Sequence, residues 1–268
     1  MTITANFIRQ WKVSAGLASG SEGMGTIKID DAEATEKIVD NGTSITLQAV
    51  ANTGYEFVKW IDGSGNDLSA SNPYTISNIG SDKSVKAVFQ VKRVTLTLKA
   101  NDDTMGSFKM NDNVASQLTV QAGSTVKIQA VANANHRFVK WTDDNSTTNP
   151  RTVTVTSDLT ITANFIRQWK VSAGLASGSE GMGTIKIDNA AATEKMVDNG
   201  GSVTLQAVAK TGNEFVKWID GSGKDLSTSN PYTISNIGSD KSAKAVFLSK
   251  EKRGEENDTE FKNGDNNW

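Results

Sequence analysis

Apolar and polar residues alternate along most of this chain. Ile45, Leu47, Ala49 and Ala51 are separated by Thr46, Gln48 and Val50. Val126, Ile128, Ala130 and Ala132 follow the same rule, as do Val203, Leu205, Ala207 and Ala209. A period of two over this length predicts strands with one buried face. The segments Thr152–Val155 and Leu159–Phe165 are rich in threonine and β-branched residues, which suit a pleated, half-buried surface. Asn41-Gly42, Asp62-Gly63, Asn199-Gly200 and Asp220-Gly221 supply turns between strands. No stretch keeps a helical period. Ala32–Val39 has room for a helical turn or two before Asn41-Gly42 ends it.

The pattern repeats. Phe-Val-Lys-Trp occurs at Phe57–Trp60, Phe138–Trp141 and Phe215–Trp218. Each copy is followed by an Asn-Pro pair (Asn72-Pro73, Asn149-Pro150, Asn230-Pro231) and a strand ending in Phe89, Phe165 or Phe247. At an offset of 158, residues 11–89 match 169–247 with 10 differences in 79 positions. The middle copy keeps the pattern with different residues, so the array alternates A-B-A. Repeats at this spacing take precedence over any single-domain reading. The expected organisation is a module at 11–89, a second with its link at 90–168, and a third at 169–248. Residues 1–10 precede them and a polar tail, 249–268, follows. That tail carries few large apolar groups and is expected to be disordered.

Composition removes several functions. The chain has 28 basic and 30 acidic residues, a balance that gives no reason to expect nucleic acid or an anionic membrane as partner. It has no cysteine, which excludes disulfides, thiolate metal sites and cysteine nucleophiles. No apolar run approaches the ~18 residues of a membrane-spanning helix.

Three elements recur in order: Gly-Thr-Ile (Gly25–Ile27, Gly183–Ile185), then Gly-x-x-Ile/Val-Thr-Leu-x-Ala (Gly42–Ala49, Gly200–Ala207), then Gly-Tyr-Glu-Phe-Val-Lys-Trp (Gly54–Trp60). Asn-Pro-Tyr-Thr-Ile (Asn72–Ile76) and a final Ala-Val-Phe (Ala87–Phe89) complete the set. Over roughly 11–247 the chain resembles the divergent internalin-type B-repeat module of bacterial surface proteins. The middle copy departs from it, with Asn135-His136-Arg137 in place of Gly-Tyr-Glu and Arg151 in place of the Tyr after Asn-Pro. The resemblance implies an all-β tandem array of three small β-grasp-like or β-sandwich-like modules. It implies a secreted or cell-surface setting, no cofactor and no enzyme activity.

Candidate chemistry is sparse. His136 is the lone histidine and stands where the other copies have Tyr55 and Asn213, which fits a surface or packing position. Asp62-Gly63-Ser64-Gly65-Asn66-Asp67 alternates oxygen donors with glycine as calcium loops do. However, the twelfth position is Pro73 and the third copy brings in Lys224, so an ordinary hairpin loop is expected. Phe57, Trp60, Phe138, Trp141, Phe215 and Trp218 are the core candidates. In a regularly pleated strand Phe57 and Lys59 would share one face, and Val58 and Trp60 the other. Trp11 and Trp169 follow the links and are expected at module junctions.

Residues 2–10 recur unchanged at 160–168. There they form a module's last strand, whereas here their own module is absent. Thr2, Ile3, Thr4, Ala5, Asn6 and Phe7 are therefore a candidate donor for strand addition to another copy. The plainer reading is an artificial boundary with a frayed terminus. The expected function is a stalk or spacer of a bacterial surface protein, with other domains of that protein as neighbours. A head-to-tail filament subunit and an adhesin for glycan or host protein, through Tyr55, Tyr74 or Tyr232, are the alternatives.

Overall fold

The computed structural model describes residues 1–251. They form two compact units. The first comprises Met1–Lys99, Phe108–Ala130 and Thr148–Thr162. The second comprises Ala100–Ser107, Val131–Thr147 and the described chain from Ala163 onward. The first and third repeats each lie in one unit, and the middle repeat is divided between them.

In the first unit the strands are β1 (Gln10–Leu17), β2 (Gly25–Ile29), β3 (Ala32–Glu33), β4 (Glu36–Asp40), β5 (Ile45–Ala51), β6 (Tyr55–Asp62), β7 (Asp67–Ser69), β8 (Tyr74–Ile76) and β9 (Lys83–Val91). One sheet has the order β4-β1-β9-β6-β7 and the other β3-β2-β5-β8. Pairing is antiparallel except between β1 and β9, which run parallel. The alternating positions of the two sheets meet in one core. Val13, Val85, Ala87 and Phe89 come from the first sheet, and Ile27, Ile29, Ile45, Leu47 and Ala49 from the second. The module is thus a two-sheet sandwich.

The predicted helical turn at Ala32–Val39 is instead the hairpin arm β3 followed by β4. The reason lies just upstream. Asp30 and Asp31 both have positive φ (47° and 67°) between the paired residues Ile29 and Ala32. Two left-handed residues in a two-residue loop match the twist of a hairpin, and Asp tolerates that conformation. Asn111-Asp112 and Asp188-Asn189 repeat the geometry in the other copies.

The remaining strands follow the same plan. β10 (Arg93–Ala100), β11 (Gly106–Met110), β12 (Asn113–Val114), β13 (Gln117–Gln121), β14 (Ser124–Ala132), β15 (His136–Trp141) and β16 (Arg151–Val155) belong to the middle repeat. β17 (Leu159–Leu175) is one uninterrupted strand, so the link Ile166-Arg167-Gln168 is strand rather than loop. β18 (Gly183–Ile187), β19 (Glu194–Asp198), β20 (Val203–Ala209), β21 (Asn213–Ile219), β22 (Asp225–Ser227), β23 (Tyr232–Ile234) and β24 (Lys241–Ser249) complete the third repeat. Its core, centred on Trp218, Leu205 and Phe247, mirrors that of the first. Ser249 closes β24; the tail beyond residue 251 lies outside the described residues. Among the described residues no helix is long and apolar enough to cross a membrane.

Candidate functional site

The tryptophans of the three Phe-Val-Lys-Trp strings are fully buried. The facing expected from regular alternation does not hold, because the strand is bulged. Phe57 pairs with Phe89 and Lys59 with Val88, leaving Val58 as an extra residue. Two residues opposite one reset the alternation, so Phe57 and Trp60 turn to the same face. Their ring centroids lie 5.3 Å apart, and Phe57 meets Phe89 edge-on at 6.0 Å. The same shift occurs between Phe138 and Lys140 and between Phe215 and Lys217. The lysine is left outside, where Lys59 pairs with Asp67 at 2.6 Å and Lys217 with Asp225 at 2.7 Å.

The Asn-Pro pair has a role that spacing alone did not reveal. Asn72 Oδ1 accepts from the Ala49 amide at 2.8 Å and its Nδ2 donates to the Ala49 carbonyl at 2.7 Å. The side chain substitutes for one residue of a neighbouring strand. Asn149 does the same for Ala130, and Asn230 for Ala207. All three Asn-Pro bonds are cis.

The junctions between repeats are closely bonded. In the first unit the Gly54 carbonyl accepts from the Lys92 amide at 2.9 Å and from Gln121 Nε2 at 3.3 Å, and Ala122 N donates to Lys92 O at 2.9 Å. Gly54 has φ of 87°, and a β-carbon there would stand 2.6 Å from Gln121 Nε2 and 2.9 Å from Ala122 O. Glycine permits both the conformation and the approach. In the second unit Asn135, at φ of 59°, takes the corresponding place and its carbonyl accepts from Gln168 N at 2.7 Å. Arg137 grips Asp198 through Nε and Nη2, with Nε donating to Oδ1 at 2.7 Å, and Gln168 Nε2 donates to the same carboxylate at 3.0 Å. These bonds, Arg137 foremost, hold the Asp198 carboxyl below its ordinary range. Arg167 stacks over Trp169 at 4.0 Å, and Trp169 Nε1 donates to Asn199 Oδ1 at 2.8 Å. The sequence carries a signal for this junction: just before the matched Phe-Val-Lys-Trp, Arg137 reverses the charge of Glu56 and Glu214.

A family model described as the divergent InlB B-repeat domain matches residues 17–93, 96–168 and 175–251. The chain belongs to that family. Comparison with curated proteins gives no match. Among solved structures, the Bacillus anthracis TIE protein is 10% identical over 89% of this chain and 51% of that one, with a TM-score of 0.35. The chain thus spans about half the length of that protein. A streptococcal ancillary pilin is 12% identical over 89% of this chain and 99% of its own, with a TM-score of 0.24. The open form of the pilus adhesin SpaC from Lactobacillus rhamnosus GG is 11% identical over 90% of this chain and 43% of its own, with a TM-score of 0.27.

Elsewhere on the B-repeats the candidates lie apart. Asp62 uses its carboxylate on its own loop, accepting from Ser64 N at 2.9 Å, Asn66 N at 2.8 Å and Asn66 Nδ2 at 2.9 Å. These bonds, the Asn66 side chain first, lower its pKa and close an Asx-type turn. Among the described residues no three His, Asp or Glu side chains converge as a metal site would require. His136 Nδ1 sits 2.9 Å from the Ala134 carbonyl in the turn before β15. Tyr74 and Tyr232 are half-buried and pack against their repeat cores. A groove of about 530 Å³ in the first B-repeat is lined by Ala15, Gly16, Leu17 and Ile27, with Glu33 as its carboxylate. The corresponding groove of the third has Ala191 at that position, so the acid is not kept.

The segment Thr2–Phe7 is not in a strand, and Ile3 and Phe7 are 84% and 93% exposed. Its identical copy in β17 buries Ile161, Ala163 and Phe165 to 4% exposure or less.

Proposed function

We propose that this chain is a non-enzymatic stalk or spacer segment of a bacterial cell-surface protein, with further domains of that protein as its neighbours. The observation that carries this reading is the bonding at the junctions. Successive B-repeats are not joined by free linkers. Gly54 is tied to Lys92 and Gln121, and Asn135 and Arg137 are tied to Gln168 and Asp198. Bonds on both sides of a short link restrict bending far more than a flexible chain of the same length would.

The test is a change of reach. Deleting residues 11–168 joins Gln10 to Trp169, the same Gln-Trp step found at Gln168-Trp169. On encapsulated bacteria displaying the array with a distal epitope, the deletion should lower antibody access to the tag. Unchanged access would overturn the spacer role.

A second reading, head-to-tail strand addition through Thr2–Phe7, is favoured by one observation. These exposed residues have the sequence that β17 buries. Light scattering coupled to size exclusion, with and without residues 1–7, tests it: concentration-dependent oligomers should form from the intact chain alone.

A further inference from the structure

In each of the two undivided repeats, the strands by which the chain enters and leaves lie side by side and parallel. β1 pairs β9 in register from Val13↔Lys83 to Leu17↔Ala87. The C-terminal half of β17 pairs β24 from Val171↔Lys241 to Leu175↔Ala245. Parallel direction places entry and exit at opposite ends of the pair. Gln10 lies three positions before Val13, and Val91 eight beyond Lys83. At ~3.3 Å per residue, entry and exit are then about 36 Å apart along the strands.

Tension along the chain therefore drags β1 and β9 past each other along their common axis. In that geometry the evenly spaced cross-strand bonds share the load. In the alternative geometry, with both strands pulled from the same end, the bonds fail one after another.

Further bonds extend both ends of the ladder. Asp82 Oδ1 accepts from the Lys12 amide at 2.8 Å before the pairing begins. Beyond it, Ala18 N donates to Ala87 O at 2.9 Å. The buried Ser21 then accepts from Phe89 N at 2.9 Å and donates to Phe89 O at 3.3 Å. Asp240, Ala176 and Ser179 repeat all of these in the third repeat. In the middle repeat Asp158 accepts from Thr95 N at 2.8 Å. There Asn101 serves in place of serine, at 2.7 Å from Phe165 N and 3.1 Å from Phe165 O. The residue type changes between repeats while the bonds to the Phe backbone are kept.

We propose that the B-repeats of this chain bear mechanical load, with β1–β9 and β17–β24 as shear clamps pinned at their ends by Asp82, Ser21 and their counterparts. The proposal takes only the source of the load from the stalk reading.

Single-molecule pulling tests it on the full chain, which has no native cysteine to compete with introduced attachment points. Ile8→Cys with Val91→Cys loads the first repeat in shear. Ile8→Cys with Ser81→Cys loads the same pair by peeling from one end. At one loading rate the shear geometry should rupture at about twice the peeling force or more, because forced unfolding follows the barrier along the pulled coordinate. Urea unfolding of both double variants reports whether the fold is intact. If Ser81→Cys disturbs it, Gly80→Cys replaces it, its nearest neighbour being Asn41 Oδ1 at 3.8 Å. Ser21→Ala should lower the shear force and leave the peeling force unchanged. Equal rupture forces in the two geometries would overturn the clamp. Because the measurement uses purified protein, it can succeed even if the surface role fails, and fail even if that role stands.

Discussion

The ring of Phe89 lies so close over Gly25 that a β-carbon there would stand 2.6 Å from Phe89 Cζ and 2.6 Å from the Val50 carbonyl oxygen. Gly106 stands in the same relation to Phe165, at 2.4 Å, and Gly183 to Phe247, at 2.5 Å. The glycine that opens Gly-Thr-Ile in the first and third repeats, and Gly-Ser-Phe in the middle one, thus meets the closing Phe of its repeat across the sandwich. Gly25→Ala should destabilise the first repeat by about 1–3 kcal/mol, the usual cost of overpacking a core. Urea unfolding of the variant checks this. A neutral result would mean that the Phe89 ring and the β5 backbone can move apart freely.

Trp60 and Trp218 should respond differently to the same substitution. Trp60 Nε1 donates to the Ser71 carbonyl at 3.1 Å, while Trp218 Nε1 is buried without a partner. Replacing either by Phe removes similar apolar area. Trp60→Phe should nevertheless cost about 1 kcal/mol more than Trp218→Phe, the worth of one net hydrogen bond. Equal losses in chemical unfolding would count against the difference.

Asn72 answers for two backbone groups of Ala49. Asn72→Ala leaves both the Ala49 amide and carbonyl unpaired and should cost about 2–3 kcal/mol. Asn72→Asp keeps an acceptor for the amide but sets a carboxylate oxygen against the Ala49 carbonyl, so it should cost at least as much as the alanine variant. Asn149 and Asn230, with the same bonds, should give losses of the same size. Calorimetry on the three alanine variants compares them directly.

The Arg137–Asp198 contact should be pH-dependent. Asp198 has its folded pKa lowered, chiefly by Arg137, so its contribution is full above the unfolded carboxyl value and lost as pH falls through the folded one. A double-mutant cycle with Arg137→Gln and Asp198→Asn should give a coupling of about 1 kcal/mol at neutral pH, at the upper end for a partly exposed pair with bidentate geometry. It should shrink as pH falls below the ordinary carboxyl value of about 3.9. A coupling that persists after protonation would assign the contact to packing instead of charge.

Strand alternation was plain from positions such as Ile45, Leu47 and Ala49, because a period of two needs no knowledge of the partner strand. The facing of Phe57 was not. A bulge is a mismatch between two strands, and Val58 looks like any other β residue until Val88 is seen to oppose two residues. The hairpin over Ala32–Val39 is hidden in the sequence, because Asp30 and Asp31 give no sign of positive φ by composition alone. The two junctions differ in legibility. The charge reversal at Arg137 was visible beside Glu56 and Glu214, but its partner Asp198, 61 residues away, became clear only once β17 and β19 were paired. Asn72 stands out in the sequence by the proline after it, while its work is done by its own amide.

The Arg-Gln-Trp stretch makes two of the same contacts at both of its occurrences. Arg9 covers Trp11 at 4.1 Å as Arg167 covers Trp169 at 4.0 Å, and each indole donates to its asparagine at 2.8 Å. The two A copies match at an offset of 158 residues, so a change of array length by that step, in register between them, would add or remove a whole A-B unit. Every junction in the product would already exist in the parent. Length variants could therefore arise within a population without passing through a misfolded intermediate sequence, leaving the length of the array open to selection on its own.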